Sequence, residues 1–491
     1  MSVTENDASI KFSELERTIF NFAHEMARTL LAETLEELSY KLHMQLDSAR
    51  YENKGTRETS VHTLFGTVTY KRHVYYDHEI QGEDGKSKCV YPLDETLEMT
   101  VFQTYTEAVV ETVLKRCTET SFRKAAAAVS EMTGLSVSHA TAWNMFQAFG
   151  RSLSHHDRNL VEKDQQNELD GPKAVPVLFE EADGIYVPTQ KRGRKEKTKE
   201  HKEIRLAVTY EGWKQQGNSG SHVLVNKHFV AGIEDSDEFN KLRAASIFQR
   251  YDMANVQFHA LNGDGAMWIR IGHEGRKSIY QLDPFHWRRE VLRATASKKE
   301  AAAVATMLST GQFEQAMGRI NELKYECGGE AHRVKALEEL EVYLTTLRSG
   351  LQKWNKRDGQ PIPEAPTGLT YRTMGTMEHH ICDVLGLRMK GRKMSWSLDG
   401  ARHMAKALAC SMNGELSSMV GCMMAGKVTQ EMAAEVTRTV DETRKRVLKR
   451  VPKVFEAHSG GWPFEKSSMT LSRRAIRDIF HIKNFTALTY H

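Results

Sequence analysis

The sequence predicts a mixed α/β protein: a sheet with helices on its faces, interrupted by a helical insertion. A mostly helical N-terminal region with a β-hairpin and a helix-turn-helix pattern precedes it. Three observations lead there. Short apolar runs with strand alternation gather between residues 174 and 282. Residues 287 to 355 hold no strand pattern and are rich in Ala, Leu, Glu, Lys and Arg, all good helix formers. Ahead of both, apolar residues recur at three- and four-residue steps.

Composition narrows the class. At 491 residues the chain is too long for one core, so two to four domains are expected. It is 40% apolar and 27% charged, and no apolar run approaches the roughly 18 residues that span a bilayer, so no membrane partner is expected. The start, MSVTENDASIKF, is polar and acidic and does not read as a secretory signal. Cys89, Cys117, Cys327, Cys382, Cys410 and Cys422 are scattered without a CxxC pair. That argues against a zinc site or a disulfide framework and for a reducing, cytoplasmic setting. A net charge of +4 is too mild to imply nucleic acid by itself, so local clusters of charge carry that question.

Taken in order, residues 1 to 90 divide into a helix and a hairpin. Phe12, Leu15, Ile19, Phe22, Met26, Leu30 and Leu31 recur at three- and four-residue steps over residues 11 to 47, which read as one long helix or two. Val61, Thr63, Val68, Tyr70, Val74 and Tyr76 are strand formers flanking a turn at Phe65-Gly66. Residues 91 to 165 turn helical. Within them Phe122, Ala126, Val129 and Met132 share a helical face, Gly134 to Ser136 make a short turn, and a second helix from Ser138 buries Ala142, Phe146 and Phe149. That is the punctuation of a helix-turn-helix, or of a plain helical hairpin. In the first case Ser138, His139, Thr141 and Asn144 face a DNA groove, with Arg123 and Lys124 near the backbone.

After a linker at 166 to 173, the period changes to strands: 174 to 179, 204 to 210, 223 to 230, then a helix-like SDEFNKLRAASIFQRY, then 256 to 261 and 278 to 282. Three strands, a helix, a strand ending in an acid and one more strand is the order of a ribonuclease H-like core. Residues 166 to 286 form its first part, 287 to 370 the helical insertion, 371 to 425 the second part, and 426 to 491 a basic helical tail.

The chemistry rests on acids. Asp183 in LFEEADGIYV and Asp264 in VQFHALNGDGAMWI each close a predicted strand and are followed by Gly, which permits a tight turn. Strand ends in α/β sheets are where sites collect. Two neighbouring carboxylates stay ionised at neutral pH when cations lie between them, and a pair of Mg²⁺ (or Mn²⁺) ions roughly 3.5–4 Å apart satisfies them. The third acid is either Glu290 in FHWRREVL or Glu378 in GTMEHHICDVLGLRMKGRKMSW. Asp283 and His286 in LDPFHW read as a pair supporting the site, with too few further ligands nearby for zinc. Two basic clusters suit a DNA backbone: Lys191, Arg192 and Arg194 in the KRGRKEKTKEHK loop, and Arg388, Lys390 and Arg392 after Glu378.

The blocks EEADGIYVPTQ, the basic loop, HKEIRLAVTYEGW, LNGDGAMWI, YQLDPFH and GTMEHHICDVLGLRMKGRKMSWS, across roughly residues 60 to 410, together resemble the ISLre-type bacterial insertion-sequence transposases. These are related to the Mutator-like group with its DDE triad. The resemblance implies a triad of Asp183, Asp264 and Glu378, selecting Glu378 over Glu290, with two Mg²⁺ (or Mn²⁺) ions. Asp283 and His286 match that group's Cys-or-Asp, two residues, then His motif. It also implies cleavage at element ends to release a 3′-hydroxyl, which attacks target DNA in line without a covalent protein intermediate. The partners would be double-stranded DNA (terminal inverted repeats and target), with a nucleoid-associated homodimer or higher oligomer and the long N-terminal helix as an interface. A ribonuclease H-like nuclease without strand transfer and a catalytically inactive DNA-binding derivative are the rival readings.

Overall fold

The computed structural model describes residues 11–81, 87–97, 104–190, 200–217, 220–270, 278–356, 362–391 and 394–424, with 442, 443, 445 and 446. The chain is a mixed α/β protein that divides into two compact units, one of residues up to Thr104 with the described residues beyond Gly426, the other Tyr105–Ala425.

In the first unit α1 (Phe12–Gln45) packs on a sheet of β1 (Tyr51–Thr63), β2 (Gly66–Gln81) and β3 (Ser87–Val90), closed by α2 (Pro92–Thr96). Leu35 and Leu38 of α1 meet Val61, Val68, Tyr70 and Leu93 in its core. The hairpin is longer than the sequence suggests because the first half of β1 is exposed and shows no apolar alternation; antiparallel pairing with β2 defines it instead. Its turn falls at residues 64–65, with Gly66 at φ 108° opening β2 and the Thr63 hydroxyl accepting from the Phe65 amide.

The second unit opens with α3 (Glu107–Glu119), α4 (Phe122–Thr133) and α5 (His139–Gln165). Ser121 caps α4, Gly134 ends it at φ 69°, and the Ser138 hydroxyl caps α5 by accepting from the Thr141 amide, so local capping chemistry sets both helix starts. Next come β4 (Val177–Thr189), β5 (Glu200–Tyr210), β6 (Trp213–Gln216), β7 (Ser221–Leu224), β8 (His228–Gly232), α6 (Ser236–Arg250), β9 (Phe258–Gly263), α7 (Met267–Arg270) and β10 (Ser278–Leu282). The insertion contributes α8 (Pro284–Thr295), α9 (Lys298–Ser309), α10 (Phe313–Glu326) and α11 (Ala331–Thr346). The chain returns through α12 (Met377–His380), a π-helical turn (Ile381–Gly386), α13 (Leu387–Met389), α14 (Leu398–Met412) and α15 (Leu416–Met424).

The main sheet has the order β10-β9-β4-β5-β8. β10, β9 and β4 run parallel, and β5 is antiparallel to both β4 and β8. The single strand predicted at 223 to 230 is two: Asn226 takes φ 54°, separating β7, which pairs with β6, from β8 in the main sheet. β4 is buried along most of its length, as expected of a central strand covered on both faces.

Alternation along β4 then sorts the two faces. Glu180 and Ala182 point to α6 and α7, where Ala182, Ala207, Phe239, Leu261, Trp268 and Ile269 form a core. There Glu180 is fully buried against the Arg243 guanidinium at 2.8 Å and His259 at 3.0 Å. Phe179, Glu181 and Asp183 point the other way. Phe179 packs with Tyr210, Trp213, Trp354 and Tyr371, an aromatic block beneath the returning chain. The insertion has its own core, centred on Val304, Ile320 and Leu344, and that core reaches Leu282 at the end of β10.

Candidate functional site

Asp183 lies in the middle of β4, not at its end. The Gly184 that reads as a turn signal is extended backbone paired with Arg205 of β5, and β4 continues to Thr189. A Cβ at Gly184 would meet the Glu203 carboxylate, the far end of a side chain on the paired strand. Asp183 is 6% exposed, and its Oδ1 accepts from the Gly184 amide at 2.7 Å.

Asp264 does sit at a strand end, one residue beyond β9. Its Oδ1 accepts from the Ala266 amide at 2.8 Å, and Gly265, at φ 100°, turns the chain. Tyr343 of α11 donates to the Asp264 carbonyl at 3.3 Å and Tyr280 to that of Gly263 at 2.9 Å, so the insertion and β10 both hold this turn. Burial pushes the Asp264 carboxyl above its ordinary range; the Ala266 amide and His286 oppose the shift, while Asp183 and Asp283 add to it.

His286 comes from the first turn of α8, which Asp283 caps: its Oδ1 accepts from the Phe285 amide at 2.8 Å and the His286 amide at 3.4 Å, and Pro284 opens the helix. The imidazole Nε2 lies 3.5 Å from Asp183 Oδ2. Burial by itself would lower the pKa of this ring, but the bond to Asp183 and the charges of Asp183, Asp283 and Asp264 outweigh it and raise the pKa. Glu378 arrives from the opposite end of the unit's sequence, exposed, in α12. Ligand atoms of Asp183, His286 and Glu378 all lie within 4.8 Å of one another. Glu290 is directed elsewhere, into an ion pair with Arg293 at 2.8 Å.

Beneath these groups runs a polar layer that sequence reasoning missed. Glu181, two residues before Asp183 and on the same face, is fully buried. Its Oε1 accepts from the Tyr210 hydroxyl and the Thr376 hydroxyl, each at 2.7 Å. Its Oε2 accepts from Asn262 Nδ2 at 2.9 Å, the Gly375 amide at 3.0 Å and the Thr376 amide at 2.9 Å. Asn262 Nδ2 also donates to Asp283 Oδ2 at 2.7 Å, and Asn262 Oδ1 accepts from Gln281 Nε2 at 2.9 Å. The signal available in the sequence was the same-face spacing of Glu181 and Asp183.

The residues expected to meet DNA fall into three groups. Arg123, Lys124, Ser138, His139, Asn144 and Lys390 are exposed, although the Ser138 hydroxyl is occupied as the α5 cap. Arg388 is a correction. It is 7% exposed, donates to the Cys117 carbonyl at 3.0 Å and lies over the Phe122 and Trp396 rings, so it ties α13 to α3 and α4 and has no free face for a phosphate. Lys191, Arg192, Arg194 and Arg392 lie outside the described residues. Met132, expected on the buried face of α4, is 41% exposed; Ala125 and Thr133 take that face with Ala126 and Val129. Among the described residues no helix is long and apolar enough to cross a membrane.

Residues 5–427 match the family model described as "Uncharacterised protein family (UPF0236)". Two relatives from Caldanaerobacter subterraneus subsp. tengcongensis, both named as UPF0236 proteins, are 25% identical over 72% of this chain and cover 67% and 64% of their own lengths. A third, named "UPF0236 protein in vanSb 3′region", from Streptococcus gallolyticus, is 24% identical over 82% of this chain and 83% of its own. With the match running from ahead of α1 to the end of α15, the chain belongs to the UPF0236 family.

Proposed function

We propose that this chain is a DNA transposase of the DDE type, cutting the ends of an insertion sequence and joining them to target DNA. The observation that carries the reading is the convergence of Asp183, His286 and Glu378, with Asp264 close enough to feel the charges of Asp183 and His286. These residues come from four separate segments spread over almost two hundred positions of sequence. The topology supports it. Numbered by appearance, the strands of the main sheet lie in the order 3-2-1-4-5, with the first three antiparallel and the last two parallel to the first. That order is the one expected of a ribonuclease H-like core, with Asp183 on β4 and Asp264 just beyond the end of the neighbouring β9. The name of one further relative joins eleven locus designations from a single organism, as expected of a gene that copies itself.

The donor set fits a divalent cation. Carboxylates of Asp183, Asp264 and Glu378 are hard oxygen ligands suited to Mg²⁺ or Mn²⁺, and the His286 imidazole is better matched to Mn²⁺. Burial raises the Asp264 pKa and repulsion from Asp183 and Asp283 adds to it, a repulsion that positive charge among these groups relieves. When bound, such ions activate a water or 3′-hydroxyl and stabilise charge on the scissile phosphate. The protein's own part is placement. Asp183 is held by the next backbone amide along β4 and Asp264 by an amide of its own turn, and α8, capped by Asp283, presents His286 to Asp183. The exposed residues of the α4–α5 pair offer a surface for a helix-turn-helix contact to DNA.

The test is incubation of the purified protein with labelled element ends and a target plasmid, with and without Mg²⁺ or Mn²⁺, and mapping of every nick. Metal-dependent 3′-end cleavage followed by joining is expected. Asp183→Ala or Asp264→Ala should abolish both while leaving end binding close to normal; loss of binding in equal measure would argue against a catalytic role. Cutting without joining would reassign the chain to the hydrolytic nucleases.

A further inference from the structure

We infer that Glu181 is a positioning residue: its buried carboxylate sets where Glu378 stands relative to Asp183. This rests on the metal-site reading above and assigns a function to a group outside the expected triad. Glu181 and Asp183 are two apart on β4, hence on one face and rigidly related by the strand. Glu378 belongs to a segment that returns only after the insertion, and among the described residues 362–376 is without regular secondary structure apart from an isolated bridge at Thr370. Such a segment takes its position from specific bonds. Glu181 supplies three of them, from the Gly375 amide, the Thr376 amide and the Thr376 hydroxyl, directly before α12 begins at Met377. Gly375 stands at φ 128°, a conformation that aims both consecutive amides at one oxygen and that side-chain-bearing residues rarely take.

The anchor is itself held. Tyr210 of β5 and Asn262 of β9 donate to Glu181 from the strands on either side. Asn262 spends its second amide hydrogen on Asp283, the cap of the helix that carries His286. One amide therefore links the mount of Glu378 to the mount of His286, and both are referred to the strand that carries Asp183. Glu181, Tyr210 and Asn262 are fully buried, so a bond lost among them leaves a buried group unsatisfied. A neutral residue of the same shape can keep most of the arrangement. Glutamine at 181 retains one oxygen for the Gly375, Thr376 and Asn262 donors, and its amide can donate to the two hydroxyls.

The experiment uses the full chain with Glu181→Ala, Glu181→Gln, Glu378→Ala and the Glu181→Ala/Glu378→Ala double variant, with circular dichroism as the check on folding. Two readouts are taken: hydrogen exchange of peptides covering Gly375 and Thr376 without metal, and Mn²⁺ affinity by electron paramagnetic resonance. Glu181→Ala should speed exchange at those two amides and weaken Mn²⁺ binding by about 10-fold, the lower end for loss of a group behind a ligand. The double variant should bind no more weakly than Glu378→Ala, because both changes remove the same ligand. Glu181→Gln should stay within about 3-fold of the unaltered chain, and it decides the matter if the alanine variant does not fold. Unchanged exchange, or losses that add in the double variant, would overturn the role given to Glu181. Faster exchange in a protein that takes up no Mn²⁺ even when unaltered would leave the anchor standing and remove the metal-site reading.

Discussion

Gly265 shows how narrowly the site is specified at the level of one residue. The turn that presents Asp264 requires φ 100° there, and a Cβ would come within 2.5 Å of the Leu347 side chain from the insertion. Both effects act together in Gly265→Ala: backbone strain of about 1–3 kcal/mol and displacement of a buried leucine. The expected outcome is a chain destabilised by that order in urea unfolding, with Asp264 moved and divalent-metal binding weakened. An alanine variant as stable as the original would show that the turn relaxes freely. A second residue far from the acids is just as exacting. Lys406 of α14 is buried, with its ammonium 2.5 Å from Asp157 of α5 and 3.0 Å from Glu234. Burial alone would raise the Glu234 pKa, but Lys406 and Arg402 reverse that and lower it. Lys406→Met leaves Asp157 facing Glu234 with only Arg402, 3.7 Å from Glu234, as a nearby cation. A loss of about 3 kcal/mol is expected, the low end for a broken buried pair because both acids retain some solvent contact. Chemical denaturation at neutral pH measures it, and restoration by adding Asp157→Asn would identify the cause as charge.

At the scale of elements, the segment after Glu378 carries a distinct pH signature. His380 is buried with its ring edge-on to Phe229 at 5.1 Å, and its pKa is lowered to about 4 by burial, with Lys227 and His379 adding. A histidine held neutral in the fold takes up its proton only in the unfolded chain until the pH approaches 4. Stability is therefore unaffected above about pH 6.5, the ordinary histidine value. It falls as the pH drops from there towards 4, where the folded form titrates as well, with a slope of at most about 1.36 kcal/mol per pH unit. His380→Leu should remove that part of the acid-side loss in unfolding curves taken between pH 7 and 4; an unaltered slope would assign it to other groups. This element also marks where sequence reading stops. Strand positions were legible because β4, β5, β9 and β10 carry short runs of buried apolar residues, and the start of α5 was legible at Ser138. Asp183 was found for a reason the fold does not use, since its Asp-Gly pair is extended strand and not a turn. Glu181 was passed over because a charged residue on a strand suggests a strand's end, whereas here five donors surround a fully buried carboxylate. Those donors come from three segments, β5, β9 and the chain at 375–376, and pattern within one segment cannot reveal them. Arg388 failed for the converse reason: a basic residue in a basic run looks exposed until the ring and carbonyl that bury it are known.

For the molecule as a whole, the second unit holds every described group of the site together with the apparatus that positions it. Its two ends meet: α3 and α15 pack together, with Ser417 donating to Glu111 and Val420 buried. Adjacent ends are the mark of a unit that closes on itself. The sheet, the aromatic block under Phe179 and the helical core of the insertion all lie between those ends. The insertion belongs to the unit in a functional sense too, since Tyr343 and Leu347 both bear on the Asp264 turn. A chain restricted to residues 105–425 should therefore fold, melt in one cooperative transition and bind Mn²⁺ within about 3-fold of the complete protein, given that metal affinity depends on the ligands and the groups directly behind them. Scanning calorimetry and Mn²⁺ titration on both chains make the comparison. A fragment that failed to melt cooperatively, or bound Mn²⁺ much more weakly than the complete chain, would show that residues outside 105–425 complete the core or the site.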